Sequence, residues 1–177
     1  MLGDIQIYDD GVSNLGATDN YVVASGTAAA KIKAGEPVYI AANGAGVATA
    51  LATNLPSSAN SASTISGIAA TTSTDTVAAA GTVSVYRNIT GVTFLVAPNS
   101  AAAWDTQAEY NALVGAQVLL DLTGTAAAGT AVYTILATHN AAYGCIVEPL
   151  DITRYPGKVR FSIRPLATTK GWGTGVQ

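Results

Sequence analysis

TISGIAATTSTDTVAAAGTVSVYRN, residues 64–88, decides the fold. Ile65 and Ile68 lead into the hydroxyl-rich run Thr71-Thr72-Ser73-Thr74-Asp75-Thr76. Thr82-Val83-Ser84-Val85-Tyr86 then alternates, with Val83 and Val85 on one face and Thr82, Ser84 and Tyr86 on the other. That period of two is the mark of a half-buried strand. The segment therefore reads as strand, turn, strand, with Thr and Ser on the outward face where Lys and Glu are usual. A surface of that kind suits close packing against another protein.

The rest of the chain repeats the pattern. Ala34-Gly35-Glu36-Pro37 is a turn signal, Val38-Tyr39-Ile40 begins a strand, and Asn43-Gly44 offers a hairpin turn. Residues 53–63 form a polar loop. Further strands are expected at Val92–Val96, Gln117–Leu122, Val132–Leu136, Gly144–Val147 and Lys158–Ile163. In the last of these, Val159, Phe161 and Ile163 alternate with Lys158, Arg160, Ser162 and Arg164. A single helix is expected over about 105–114, capped by Asp105 and ended at Gly115. The expected fold is mainly β: a compact antiparallel β-barrel or β-sandwich with one short α-helix and an extended N-terminal arm. The chain divides into an arm at 1–30, a barrel or sandwich domain at 31–166 and a tail at 167–177 anchored by Trp172.

Composition points the same way. Charged residues make up 11% of the 177, against roughly 25% in ordinary soluble domains. Much of the 49% hydrophobic content is Ala. Small side chains bury little area each, so burial between subunits is a natural supplement to a thin core. The formal net charge of −3 is unevenly spread. Asp4, Asp9, Asp10 and Asp19 lie in a stretch without Lys or Arg, whereas Arg154, Lys158, Arg160, Arg164 and Lys170 follow Asp151 without an acid. An acidic head and a basic tail attract each other within a subunit or between neighbours.

Most catalytic chemistries find no support. His139 is the sole histidine and Cys145 the sole cysteine, so neither a disulfide nor a zinc cluster forms within one chain. A Cys–His pair needs hydrogen-bond contact and a third orienting group, which the sequence does not supply. Asp9-Asp10-Gly11 lacks the spacing of a calcium loop. Gly44-Ala45-Gly46 lacks the third glycine of a dinucleotide fingerprint, and Gly124–Thr130 lacks the Lys of a phosphate loop. Glu109, Asp121, Glu148 and Asp151 are carboxylates without a sequence relation that pairs them. No cofactor is expected. The negative net charge argues against nucleic acid, and no apolar run reaches the roughly 18 residues of a membrane span. Met1–Asp4 has no basic or apolar leader character, so a cytoplasmic site of synthesis is expected.

Several segments carry a family resemblance. Lys33-Ala34-Gly35-Glu36-Pro37-Val38, Ile65-Ser66-Gly67-Ile68-Ala69, Thr74-Asp75-Thr76 and Gly81–Tyr86 resemble the decoration (cement) proteins of tailed-bacteriophage heads. Asp105–Gly115 followed by Val118–Leu122 is similar to phage virion proteins with the same helix-then-strand order. The resemblance covers most of residues 31–166 and rests on texture and segment order, without a diagnostic motif. It implies a non-enzymatic protein on the capsid exterior, often trimeric, whose partner is the major capsid protein and which holds neighbouring capsomers together. Candidate interface residues are Asp4, Asp9, Asp10, Thr72, Thr74, Asp75, Arg160, Arg164 and Trp172. The alternative is a head-fibre base or a glycan-binding surface module, using Tyr86, Tyr133, Tyr143, Tyr155 and Trp172.

Overall fold

The alternating run that ends residues 64–88 is a strand, Gly81–Arg87, with Val83 and Val85 each about 1% exposed. A computed structural model describes residues 5–8, 18–24, 32–40, 48–50, 65–87, 92–100, 102, 104–123, 132–139 and 145–163. In chain order its strands are β1 Gln6–Ile7, β2 Thr18–Val23, β3 Pro37–Ile40, β4 Ala48–Ala50, β5 Gly67–Ala69 and β6 Gly81–Arg87. They continue with β7 Phe94–Pro98, β8 Gln117–Thr123, β9 Val132–His139, β10 Cys145–Val147 and β11 Val159–Ile163. The helix α1, Gln107–Leu113, lies between β7 and β8. Among the described residues the fold is mainly β with a closed five-strand barrel and one short helix, in keeping with the barrel-or-sandwich expectation, although the pairing that closes the ring is parallel where antiparallel strands were expected.

The strands form two sheets. One runs β1-β7-β11-β10-β8-β9, and β7 also pairs with β9. That last pairing is parallel, joins Ala97 to Thr134 and Pro98 to Ile135, and closes β7, β11, β10, β8 and β9 into a ring. Every other pairing is antiparallel. Closure gives each ring strand a neighbour on both sides. β1 lies outside the ring, against the first half of β7, with Gln6 opposite Leu95 and Ile7 opposite Phe94. The second sheet runs β2-β6-β5-β3-β4.

The pleat assigns side chains to two cores. The larger fills the barrel with Phe94, Val96, Val118, Leu120, Ile135, Cys145, Val147, Val159 and Phe161, and reaches Trp104 and Tyr110 at the helix. The smaller gathers Tyr21, Val23, Ile32, Val38, Ala69, Val83 and Val85 on one face of the second sheet. Successive residues of β5 serve both: Ile68 belongs to the barrel core and Ala69 to the smaller one. β5 is thus the strand through which the second sheet packs on the barrel. Gly67 permits this, because a Cβ there would collide with the carbonyl oxygen of Tyr86.

Some expectations shift. The helix is capped by Thr106, not Asp105: its hydroxyl accepts from the Glu109 amide and the Glu109 carboxylate accepts from the Thr106 amide. That reciprocal box leaves Asp105 one residue outside. Gly115 follows with φ 84°, the left-handed conformation expected after the helix. The strand expected at Val92–Val96 is Phe94–Pro98, and the one expected at Val132–Leu136 continues to His139. Within 1–30, Gln6–Ile7 and Thr18–Val23 are strands of the two sheets. The polar loop 53–63 and the tail 167–177 lie outside the described residues.

Candidate functional site

The hydroxyl-rich run after β5 forms a loop fastened along its length by its own side chains. Two of its hydroxyls carry the β5–β6 ladder past the point where β5 ends. Ala70 N donates to Ser84 O at 2.7 Å, and Ser84 N donates to Thr71 Oγ1 at 3.1 Å. One step on, Thr74 N donates to Thr82 O at 3.0 Å, and Thr82 N donates to Thr74 Oγ1 at 2.9 Å. A threonine hydroxyl takes the place of a backbone carbonyl in both pairs. Such local side-chain acceptors are the usual competitors of the regular ladder, and here they extend it.

The other side of the loop is tied to the segment before β3. Ser73 N donates to Ile32 O at 2.8 Å, Ile32 N donates to Ser73 Oγ at 3.1 Å, and Ala34 N donates to Thr72 Oγ1 at 3.3 Å. Ser73 Oγ donates to Asp75 Oδ1 at 2.5 Å. Thr76 closes the tip, its amide donating to Ala79 O and its hydroxyl accepting from Ala79 N. Gly81 lets the loop fold back closely, since a Cβ there would strike Asp75 N.

Fixing the backbone in this way presents an uncharged surface. Thr74, Thr76, Val77, Ala78, Ala79, Ala80 and Thr82 are exposed, with Val77 at 63%. Beside Thr82, across the β2–β6 pairing, lies Val22 at 46%. Asn20 extends the row and accepts from Ser84 Oγ at 2.6 Å. Asp75, an interface candidate from sequence, is 2% exposed and lies beneath this surface. Thr72 and Thr74 are at the surface, with their hydroxyls engaged by backbone amides.

Arg160, an interface candidate from sequence, is half-buried and held by contacts within the chain. Its Nε donates to Thr93 Oγ1 at 3.0 Å and an NH group donates to Pro149 O at 3.2 Å. The guanidinium lies 4.1 Å from the Tyr8 ring centroid. Tyr8 meets Tyr155 edge-on at 5.5 Å, and Arg154 sits 5.4 Å from the Tyr155 ring. The result is a stack of guanidinium, ring, ring and guanidinium joining β1 to the turn before β11. Asp4, Asp9, Asp10, Arg164 and Trp172 lie outside the described residues.

Several described carboxylates hold structural hydrogen bonds. Asp121 accepts from Asn99 Nδ2, Glu148 from Ser162 Oγ, and Asp151 from the amide and hydroxyl of Thr153. The bonds from Thr153 hold the Asp151 carboxyl below the usual range. Hydrogen bonding with Asp105 and Thr106 lowers Glu109, while the same neighbouring Glu109 carboxylate raises Asp105. Burial pushes the Cys145 thiol up, so it is a poor nucleophile. Cys145 and His139 both pair with Val118, from opposite sides of β8. Two strand spacings, roughly 9–10 Å, separate their backbones. Among the described residues no three His, Cys, Asp or Glu side chains cluster as metal ligands, and no helix is long and apolar enough to cross a membrane. Of the aromatics considered for glycan binding, Tyr133 is buried, Tyr86 packs against the barrel core and Tyr155 is stacked on Tyr8. Tyr143 lies outside the described residues.

Comparison with protein families, with curated proteins and with solved structures found no match to this chain.

Proposed function

We propose that this chain is a non-catalytic structural protein of a bacteriophage virion, a decoration protein that binds the outer surface of the capsid and ties neighbouring capsomers together. Its partner is the major capsid protein, and it acts as a homo-oligomer, with a trimer the favoured state. The observation that carries the proposal is the loop over residues 70–80, whose hydroxyls fasten its backbone while its exposed tip is apolar and uncharged. A surface ordered in advance loses little conformational freedom when it docks, so modest contacts translate into affinity. An uncharged tip also avoids the desolvation of buried ions. Repetition over an oligomer adds avidity of roughly 10²–10⁴ without any new contact. The segments that carry the resemblance to phage decoration proteins include this loop and the strand that follows it.

The test is addition of the purified chain to bare, expanded phage capsids. Stoichiometric binding, together with a higher temperature of capsid disruption, is the expected result. Capsids that sediment without the chain and break at an unchanged temperature would overturn the proposal.

A further inference from the structure

β1 stands apart from the ring it touches. β7 offers one edge to two strands, with Phe94 and Leu95 facing β1 and Ala97 and Pro98 facing β9. The ring closes through β9 alone. Removing β1 leaves each of the five ring strands with both of its neighbours. Its attachment is short: in Ile5–Tyr8 one side chain, Ile5, is buried in the barrel core, Ile7 and Tyr8 are half-buried against that core, and Gln6 is exposed. Beyond the two-residue pairing, Tyr8 N donates to Thr93 O at 2.8 Å.

The same threonine accepts from Arg160 Nε, and the Arg160 guanidinium covers the Tyr8 ring. Arg160 therefore grips the segment from the ring side, while Tyr155 backs Tyr8 from the turn. Segments with few buried apolar contacts open at lower free energy than the structure they rest on. Here the topology adds that such an opening breaks no ring pairing.

We propose that Ile5–Tyr8 is a strap that opens and closes on the barrel as a unit, independently of the five-strand ring, with the stack of Arg160 on Tyr8 as its latch. Opening uncovers the Thr93–Leu95 edge of β7 and one face of the Arg160 guanidinium, which keeps its bonds to Thr93 and Pro149.

Native-state hydrogen exchange of the full chain tests it. The amide of residue 8 exchanges faster than the amides of the β8–β9 ladder. Tyr8→Leu, which keeps an apolar side chain but removes the stack, speeds exchange at residue 8 by roughly tenfold and leaves the ladder unchanged. Arg160→Lys keeps the charge and the aliphatic stem but loses the planar face, and it acts in the same direction. Exchange at residue 8 in step with the ladder, or both variants speeding the two sets equally, overturns the strap. An unaltered rate at residue 8 in both variants overturns the latch.

Discussion

Tyr110 shows how one hydroxyl can serve as part of a sheet. Glu148 and Arg160 are the next pair after Val147 and Phe161 in the β10–β11 register, and Glu148 N donates to Arg160 O as a ladder requires. The reciprocal bond is missing. Instead Arg160 N donates to the Tyr110 hydroxyl, and that hydroxyl donates to Glu148 O, both at 2.9 Å. Tyr110→Phe strands a donor and an acceptor, at a cost of about 1–3 kcal/mol. Urea unfolding should show a lower midpoint at an unchanged slope. Burial also pushes the Tyr110 hydroxyl from 10.0 to about 12. Its neutral form is needed in the folded state, so its contribution is full below pH 10.0 and is lost as the pH rises through about 12. In Tyr110→Phe the loss of stability across that range is shallower. Gly81→Ala drives a methyl into the Asp75 backbone, and overpacking of this kind costs about 1–3 kcal/mol in thermal unfolding. Neither role is visible in sequence. Alternation places Val83 and Val85 inward, but nothing local indicates that Thr71 and Thr74 turn their hydroxyls onto the amides of Ser84 and Thr82. The Thr/Ser pattern reads as an outward face, whereas the hydroxyls of Thr71, Thr72, Ser73, Thr74 and Thr76 all accept from the chain's own backbone amides.

At the scale of elements, periodicity is legible and pairing is not. β6 and β11 stand out because each alternates apolar with polar residues and buries one side. β2 has the same burial alternation, yet its TDNYVV sequence is polar at the start and lies within a stretch that composition reads as an arm. The β7–β9 closure joins residues 97–98 to 134–135, a non-local choice that no window of sequence contains. The helix is legible as a helix, but its start depends on which of two adjacent caps wins. Thr106 wins because Glu109 stands three residues later and completes the box. Thr106→Ala should therefore destabilise the protein by about 1 kcal/mol. Asp105→Ala should cost nothing comparable, since it removes the carboxyl that Glu109 disfavours. Thermal melts of the two variants separate the assignments: equal losses would return the cap to Asp105. Because Glu109 is held below the usual carboxylate range, its contribution is present above that range and is lost as the pH falls.

The whole molecule couples its two cores through β5 and shows the uncharged loop to the outside. With Ile65 and Ile68 in the barrel core and Ala69 in the smaller one, the two cores meet at β5 and are expected to unfold together. Phe161→Ala, in the barrel, and Val83→Ala, in the smaller core, should lower a single shared transition, the former by about 3–5 kcal/mol. Two separate transitions would contradict that coupling. Assembly is a different matter, because it depends on groups that stability does not use. Val77 is exposed at the tip of the fastened loop, so Val77→Asp should leave the melting temperature where it is. If the loop is the capsid contact, the same change buries an unpaired charge against the shell and should reduce binding tenfold or more, roughly the loss expected at an interface hot spot. The acidic residues give a contrasting signature. Reversing Asp9 and Asp10 to Lys should weaken assembly in low salt and matter little at about 1 M, where the Debye length shrinks to roughly 3 Å. A Val77→Asp defect should persist at both salt concentrations, because it arises from desolvation at contact and not from attraction at a distance. Binding by Val77→Asp equal to that of the unaltered chain would remove the loop from the interface. A defect in Asp9 and Asp10 that ignores salt would assign those residues a role other than charge.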